Sequence, residues 1–407
     1  MSSIPFSLAA HPRRGLAAAI AAFAYWATMV GTTAPTPLYP LYRAEIGFSS
    51  FMTTVLFAVY AIGVVAGMLV FGRLSDEIGR KPVIAIALAL AAAAAAVFLG
   101  AHNVGLIILA RVLSGFGAAL ITGAGTAAIV ELMPANQRAK ASMIAIAAGM
   151  GGLGSGNLLA GILAEWAPSP LHLIWWVVIG FSIAGAFALS IVPETVTHPT
   201  GFQLHVPRLR IPFEIRGAFL RAAITGGTGF AVLGVLTATT GLFLAQELHN
   251  TNHALTGFVV FLAFTGILVG QLTIRFIRSE FGMQIALAGL FVGALLIGLS
   301  LDIRSIAPLL IGALLTGTSV GFALARGLAD INAGSPPAQR GETVSTFFAI
   351  QYTMLALPAI GVGVMIQLIG LRPAGMIFAV LVAALAVVVL ASTLRRQTPA
   401  HQAIAAD

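Results

Sequence analysis

Gly72-Arg73-Leu74-Ser75-Asp76-Glu77-Ile78-Gly79-Arg80-Lys81-Pro82 is a short polar stretch between two apolar runs, each long enough to cross a bilayer. A loop this short forces the flanking runs into an antiparallel hairpin. Arg73, Arg80 and Lys81 put it on the cytoplasmic side, because short cytoplasmic loops collect Lys and Arg. Gly72 is expected to let helices approach closely, and Gly79 to permit a tight turn. Asp76 stands beside a helix end, where a carboxylate accepts from backbone N–H groups or pairs with an arginine. Pro82 suits the first turn of the next helix.

Composition extends this reading to the whole chain. Of 407 residues, 59% are hydrophobic and 8% charged, and the mean hydropathy is +1.00. A soluble domain carries about 25% charged residues, so this chain could not cover its surface in water. Apolar runs of about twenty residues recur throughout, the mark of an all-α, polytopic membrane protein. The runs are continuous and Ala/Leu-rich, without the period-two alternation of a membrane β-barrel. The net charge of +8 reads as topological, since nucleic-acid binding needs a basic folded face and no soluble domain is present to carry one. With no cysteine, disulfides, thiolate catalysis and Cys-ligated metals are excluded.

About twelve spans are expected. Residues 1–14 form a cytoplasmic tail ending in Arg13-Arg14, with no signal-peptide cleavage site. Six spans follow in residues 15–192, a polar linker in 193–217, six more spans in 218–394 and a short cytoplasmic tail in 395–407. Charge supports the map. Of the 21 Lys and Arg, only Arg43, Arg304 and Arg372 fall on the outer side, and only Arg111 falls inside the membrane. The halves also repeat. Leu113-Ser114-Gly115 aligns with Leu315-Thr316-Gly317, and Pro134 and Gln137-Arg138 align with Pro336 and Gln339-Arg340. Gly72-x-Leu74-Ser75 resembles Gly270-x-Leu272-Thr273, which sets Arg80 against Arg278. Two pseudo-symmetric six-helix bundles are expected, related by an axis along the membrane normal.

The Gly72–Lys81 stretch resembles the signature loop of the major facilitator superfamily of secondary transporters, with Glu77 where the family usually carries a basic residue. Arg111-x-x-x-Gly115-x-Gly117-Ala118-Ala119 resembles the family's fourth-helix motif. Gly152-x-x-x-Gly156-Asn157-x-x-Ala160-Gly161 is similar to a degraded form of the motif of its drug/proton antiporter-like branch, with Asn157 replacing a proline. The resemblance implies a twelve-helix carrier without enzymatic activity. It also implies an arginine, Arg111, facing a central cavity and influencing proton transfer or an anionic group. Glu131 would lie near the signature loop, and an Asp76–Arg80–Glu131 cluster, with Gly72 and Gly79, would act as a conformational switch locking the cytoplasmic side.

The residues themselves point the same way. Arg111 lies about seven residues into its helix, roughly 10 Å deep, where a charge is costly without a wet cavity or a partner. The other reading is a structural arginine capping backbone carbonyls of helix 1. Tyr25, Thr28, Thr32 and Thr36 form one stripe on helix 1, and Pro35, Pro37 and Pro40 should bend or break its outer end. Tyr25, Thr28, Thr32, Arg111, Asn157, Phe348, Gln351 and Tyr352 are the candidate substrate contacts, and Arg111 and Glu131 the candidates for proton coupling. All 13 Asp and Glu lie in loops, tails or helix ends.

There is no phosphate loop, nucleophile constellation or metal-ligand cluster, so neither metal nor cofactor is expected. The expected partners are a small-molecule substrate, protons and the lipid bilayer, with no nucleic acid, and the protein is expected to be a monomer. The reading is a bacterial inner-membrane carrier with both termini cytoplasmic, exporting an amphipathic or drug-like molecule by alternating access in exchange for protons. The alternative is a proton symporter taking up an organic anion or other small nutrient.

Overall fold

The computed structural model describes residues 13–197, 209, 211–336 and 339–404. Among these, every long element is helical: α1 (Arg13–Thr33), α2 (Pro35–Ile46), α3 (Ser50–Phe71), α4 (Leu74–Glu77), α5 (Arg80–Leu99), α6 (Val104–Leu132), α7 (Arg138–Trp166) and α8 (Pro170–Leu189) precede the linker. After it come α9 (Arg216–Glu247), α10 (His253–Thr273), α11 (Gly282–Asp302), α12 (Ile306–Gly334), α13 (Arg340–Ile369) and α14 (Leu371–Ile404). They supply 12 apolar crossings, α1 and α2 together making the first. The chain is a multi-pass membrane protein. The side carrying α4 is called the loop face below, and the other the opposite face.

Local chemistry sets the helix ends. Pro35 has no N–H to donate, so the first crossing breaks at Ala34 and resumes as α2. At the opposite face, Ser49, Asn103 and Asn252 cap α3, α6 and α10, each side-chain oxygen accepting from a backbone N–H in the first turn. Arg208 and Arg210, expected in the linker, lie outside the described residues. The last crossing ends at Leu394, and its helix continues to Ile404.

Small residues decide which helices touch. Lipid tails are as apolar as leucine, so close backbone approach, not hydrophobic burial, drives association. In the first half, a Cβ on Gly115 of α6 would stand 3.0 Å from Gly63 Cα of α3. In the second, a Cβ on Gly266 of α10 would stand 3.0 Å from Gly317 Cα of α12. The halves meet through α7 with α10 and α3 with α13. A Cβ on Gly161 would be 3.2 Å from Gly257 Cα, and one on Gly363 would be 3.1 Å from Thr54 Cβ. Both contacts lie toward the opposite face.

One repeat expectation is corrected. Gly270 is buried in α10 against Gly321 of α12, as Gly67 is buried against Ala119 of α6, whereas Gly72 lies exposed past the end of α3. The counterpart of Gly270 is therefore Gly67. Small residues recur every four positions on a packing face, so a short motif match can slide along the helix. The other equivalence holds: the Gln137 N–H donates to Pro134 O at 2.8 Å and the Gln339 N–H to Pro336 O at 2.9 Å, just before α7 and α13.

Candidate functional site

Two clusters carry the charged and polar groups of interest. The first surrounds the signature loop. Gly79 has φ +107°, a region glycine alone occupies comfortably, and a Cβ there would fall 2.5 Å from Glu194 Oε2. The Glu194 carboxylate fills that space. It accepts from Arg80 N at 2.9 Å, Lys81 N at 3.0 Å, Thr195 N at 2.8 Å and Val196 N at 3.0 Å, so it caps the start of α5. Burial pushes its pKa up, but these four N–H groups outweigh burial and hold the carboxyl below the usual glutamate value. Lys81 Nζ donates to Ser190 O at 2.7 Å and Val192 O at 3.0 Å, closing the end of α8.

Arg80 gathers the rest of this cluster. Its guanidinium pairs with Asp76 at 2.5 Å and Glu131 at 3.0 Å and donates to Ser75 Oγ at 2.7 Å. Thr195 Oγ1 donates to the second oxygen of Glu131. The structure thus brings Asp76, Gly79, Arg80 and Glu131 together, and all the partners named belong to the first half or the chain just after α8. Gly72 is different. Its side faces no neighbouring helix, so close helix approach is not its use. Glu194 and Thr195 escaped the sequence reading. Their only signal was a carboxylate just beyond the last apolar residue of a span ending on the loop face.

The second cluster lies mid-span. Arg111 is 1% exposed. Its Nη1 donates to Thr32 O at 2.6 Å and its Nε to Leu56 O at 3.3 Å, while Cζ lies 4.4 Å from the centre of the Tyr60 ring. Carbonyl dipoles and a ring quadrupole, not a carboxylate, offset the charge. Tyr25 packs across Gly125 and Gly149, with its hydroxyl beside Thr122 and Thr126. Tyr352 of α13 meets Phe230 of α9 edge-on at 6.0 Å and lies within electrostatic reach of Tyr25 and Tyr60. Tyr352 thus packs from the second half against the first-half core that holds Tyr25 and Tyr60, while Arg111 is buried within the first half and donates to a carbonyl of α1, the capping arrangement given above as its other reading.

The other candidates are placed differently. The Thr28 and Thr32 hydroxyls are buried and donate back along their own helix, to Ala24 O at 2.9 Å and Met29 O at 2.8 Å. Gln351 is fully buried and turns toward α9, with Nε2 3.5 Å from Ala223 O. Asn157 Nδ2 donates to Leu153 O at 3.1 Å, and its backbone carbonyl lies at the α7–α10 contact. Phe348 stacks edge-on with Phe347 at 5.7 Å. Tyr60, under the Arg111 guanidinium, went unnoticed because a lone tyrosine in an apolar run gives no periodic signal.

Comparison with known proteins follows this geometry. The model of the Major Facilitator Superfamily matches residues 21–357. The quinolone resistance protein NorA of Staphylococcus aureus is 27% identical over 177 residues, 42% of this chain and 44% of NorA. The multidrug resistance protein MdtD of Escherichia coli is 26% identical over 252 residues, 60% of this chain and 52% of MdtD. The match thus spans about half the length of these curated relatives. Among solved structures, a mutant of the nucleoside transporter NupG superposes with TM-score 0.70 at 14% identity, covering 94% of this chain and 99% of that one. A bacterial homologue of the human lysosomal transporter Spinster, inward-facing and occupied, gives 0.70 at 14% identity over 95% and 98%. The human organic anion transporter MFSD10 gives 0.63 at 16% over 93% and 100%. At these identities the likeness concerns the fold.

Proposed function

The chain belongs to the major facilitator superfamily, and from that premise we propose that it is a secondary carrier moving a small organic molecule across a bacterial inner membrane by alternating access. The observation that carries the proposal is the seam between two six-helix bundles, where Tyr352 of the second half packs against the core holding Tyr25 and Tyr60 of the first, beside the buried Arg111. The Gly161–Gly257 contact near the opposite face can part without exposing large apolar side chains there, which lowers the cost of opening that face.

Export coupled to proton entry is the favoured direction. The matched relatives are named for quinolone and multidrug resistance, which supports export of an amphipathic compound. The loop cluster is the switch. Glu131 is shared between Arg80 and Thr195, and its protonation removes one of the two carboxylates that hold Arg80. Arg111 and the tyrosines contact the substrate. In proteoliposomes, an imposed pH gradient should drive accumulation of a quinolone, and Glu131→Gln should uncouple flux from the gradient. Gradient-independent flux in the unsubstituted protein would remove proton coupling. Uptake of an organic anion by proton symport is the second reading, favoured by the lack of a carboxylate partner for Arg111 among the described residues.

A further inference from the structure

A cavity separate from the Arg111 cluster opens between the halves toward the opposite face. Thr36, Tyr39 and Arg43 of α2, Thr53 and Thr54 of α3 and Thr237 of α9 line it, and its volume is about 40 Å³. That space holds a few waters or one carboxylate, so only the charged end of a ligand enters it. Arg43 is half-buried there, and its Nη1 donates to Ser50 Oγ at 2.6 Å.

No carboxylate lines this cavity. Glu45 is exposed, and at two positions from Arg43 it points to another side of the helix. Nearby helix-end acids are engaged elsewhere. Glu165 accepts from His253 N at 2.8 Å, Glu247 pairs with Arg304 at 3.2 Å and Asp302 with Arg372 at 2.8 Å. Tyr39 lines the cavity, and its hydroxyl is buried without a hydrogen-bond partner among the described residues. The cavity thus holds one guanidinium group, a row of hydroxyls and no acid. In a low-dielectric passage, cationic charge without a counter-ion attracts anions and repels cations.

We propose that this cavity is an outer subsite of the transport path and that its ligands are small organic oxyanions, with Arg43 taking the charged group and the Thr36, Thr53 and Thr237 hydroxyls donating to its oxygens. This rests on the carrier reading above and narrows its substrate class. Organic cations are excluded from this subsite.

The test compares three probes of one size, benzoate, benzamide and benzylammonium, on the purified full chain by thermal shift and by counterflow in proteoliposomes. Benzoate is expected to raise Tm saturably while the other two do not. Arg43→Gln and Thr53→Val should each weaken its apparent affinity, the first at least tenfold, and Arg43→Lys should restore part of the loss. Equal shifts from benzamide or benzylammonium, no shift from any probe, or benzoate binding untouched by both Arg43→Gln and Thr53→Val would overturn the proposal. Single cysteines introduced at Ser169 and Ala139, one per face, separate this failure from failure of the carrier reading. If their labelling still alternates, only the anion subsite falls; if neither site ever changes reactivity, the carrier reading falls with it.

Discussion

Gly257→Ala should shift the protein from a form closed at the opposite face to one open there. A Cβ on Gly257 would land on the carbonyl oxygen of Asn157, 3.0 Å from its carbonyl carbon and 3.3 Å from Gly161 Cα. Carbon atoms rest about 3.5–4.0 Å apart. Backbone cannot rotate out of the way as a side chain can, so α10 and α7 must separate by roughly 0.5–1 Å. Overpacking of this kind costs about 1–3 kcal/mol. Only the closed form carries it, because α7 and α10 belong to different halves. The equilibrium between forms should therefore move by about 5- to 150-fold. The native chain has no cysteine, so spin labels at Ser169→Cys and Thr251→Cys report this opening without background. The long-distance population should rise in Gly257→Ala. Gly317→Ala is the control, since its Cβ would strike the Ala263 backbone within the second half and burden both forms alike. It should lower Tm and leave the distance distribution alone. An unchanged distribution in folded Gly257→Ala, or the same shift in Gly317→Ala, would refute the reasoning.

Four further outcomes are expected. Gly79→Ala forces a side chain into φ +107° and against Glu194, and should cost about 1–3 kcal/mol, read as a lower Tm in detergent. Glu194 has a folded pKa below its ordinary 4.5, so its stabilisation is present above that value and lost as pH falls through the folded pKa. The Tm gap between the unsubstituted protein and Glu194→Gln should be flat at neutral pH and shrink in acid; a gap that widens in acid would contradict this. Arg111→Lys cannot satisfy Thr32 O and Leu56 O from one planar group, and flux should fall about tenfold or more while the protein still folds. Glu165→Ala removes the acceptor of His253 N across the α7–α10 contact, and should favour the open opposite face by about 0.5–1.5 kcal/mol in the same distance measurement.

Much of the fold was legible because the bilayer fixes its terms. A span needs about twenty apolar residues, and the chain writes that length into hydropathy twelve times. The breakage of the first crossing was legible in Pro35, whose missing N–H is a covalent fact. The proximity of Asp76 to Arg80 was legible for the same kind of local reason, since they are four residues apart. Glu194 was not, because it returns to Arg80 from 114 residues away and nothing in composition announces which loop a helix-end carboxylate will reach. Arg111 showed its depth in the sequence, and the reading of it as capping carbonyls of helix 1 matches its bond to Thr32 O; the Leu56 carbonyl and the Tyr60 ring were not legible, because nothing local to Arg111 names them. Gln351 shows the limit of adjacency. It neighbours Tyr352, yet one step along a helix turns about 100°, and it faces α9 instead of the first half.

The central claim is that the two bundles rock about a shared mid-span site, and one measurement tests it most directly. Distances between Ser169→Cys and Thr251→Cys at the opposite face, and between Ala139→Cys and Gly341→Cys at the loop face, should be taken by electron–electron double resonance in lipid. Two populations are expected at each face, with the long distance at one face growing as it declines at the other when pH or ligand changes. A single unchanging distance at both faces, or both faces lengthening together, would contradict the account.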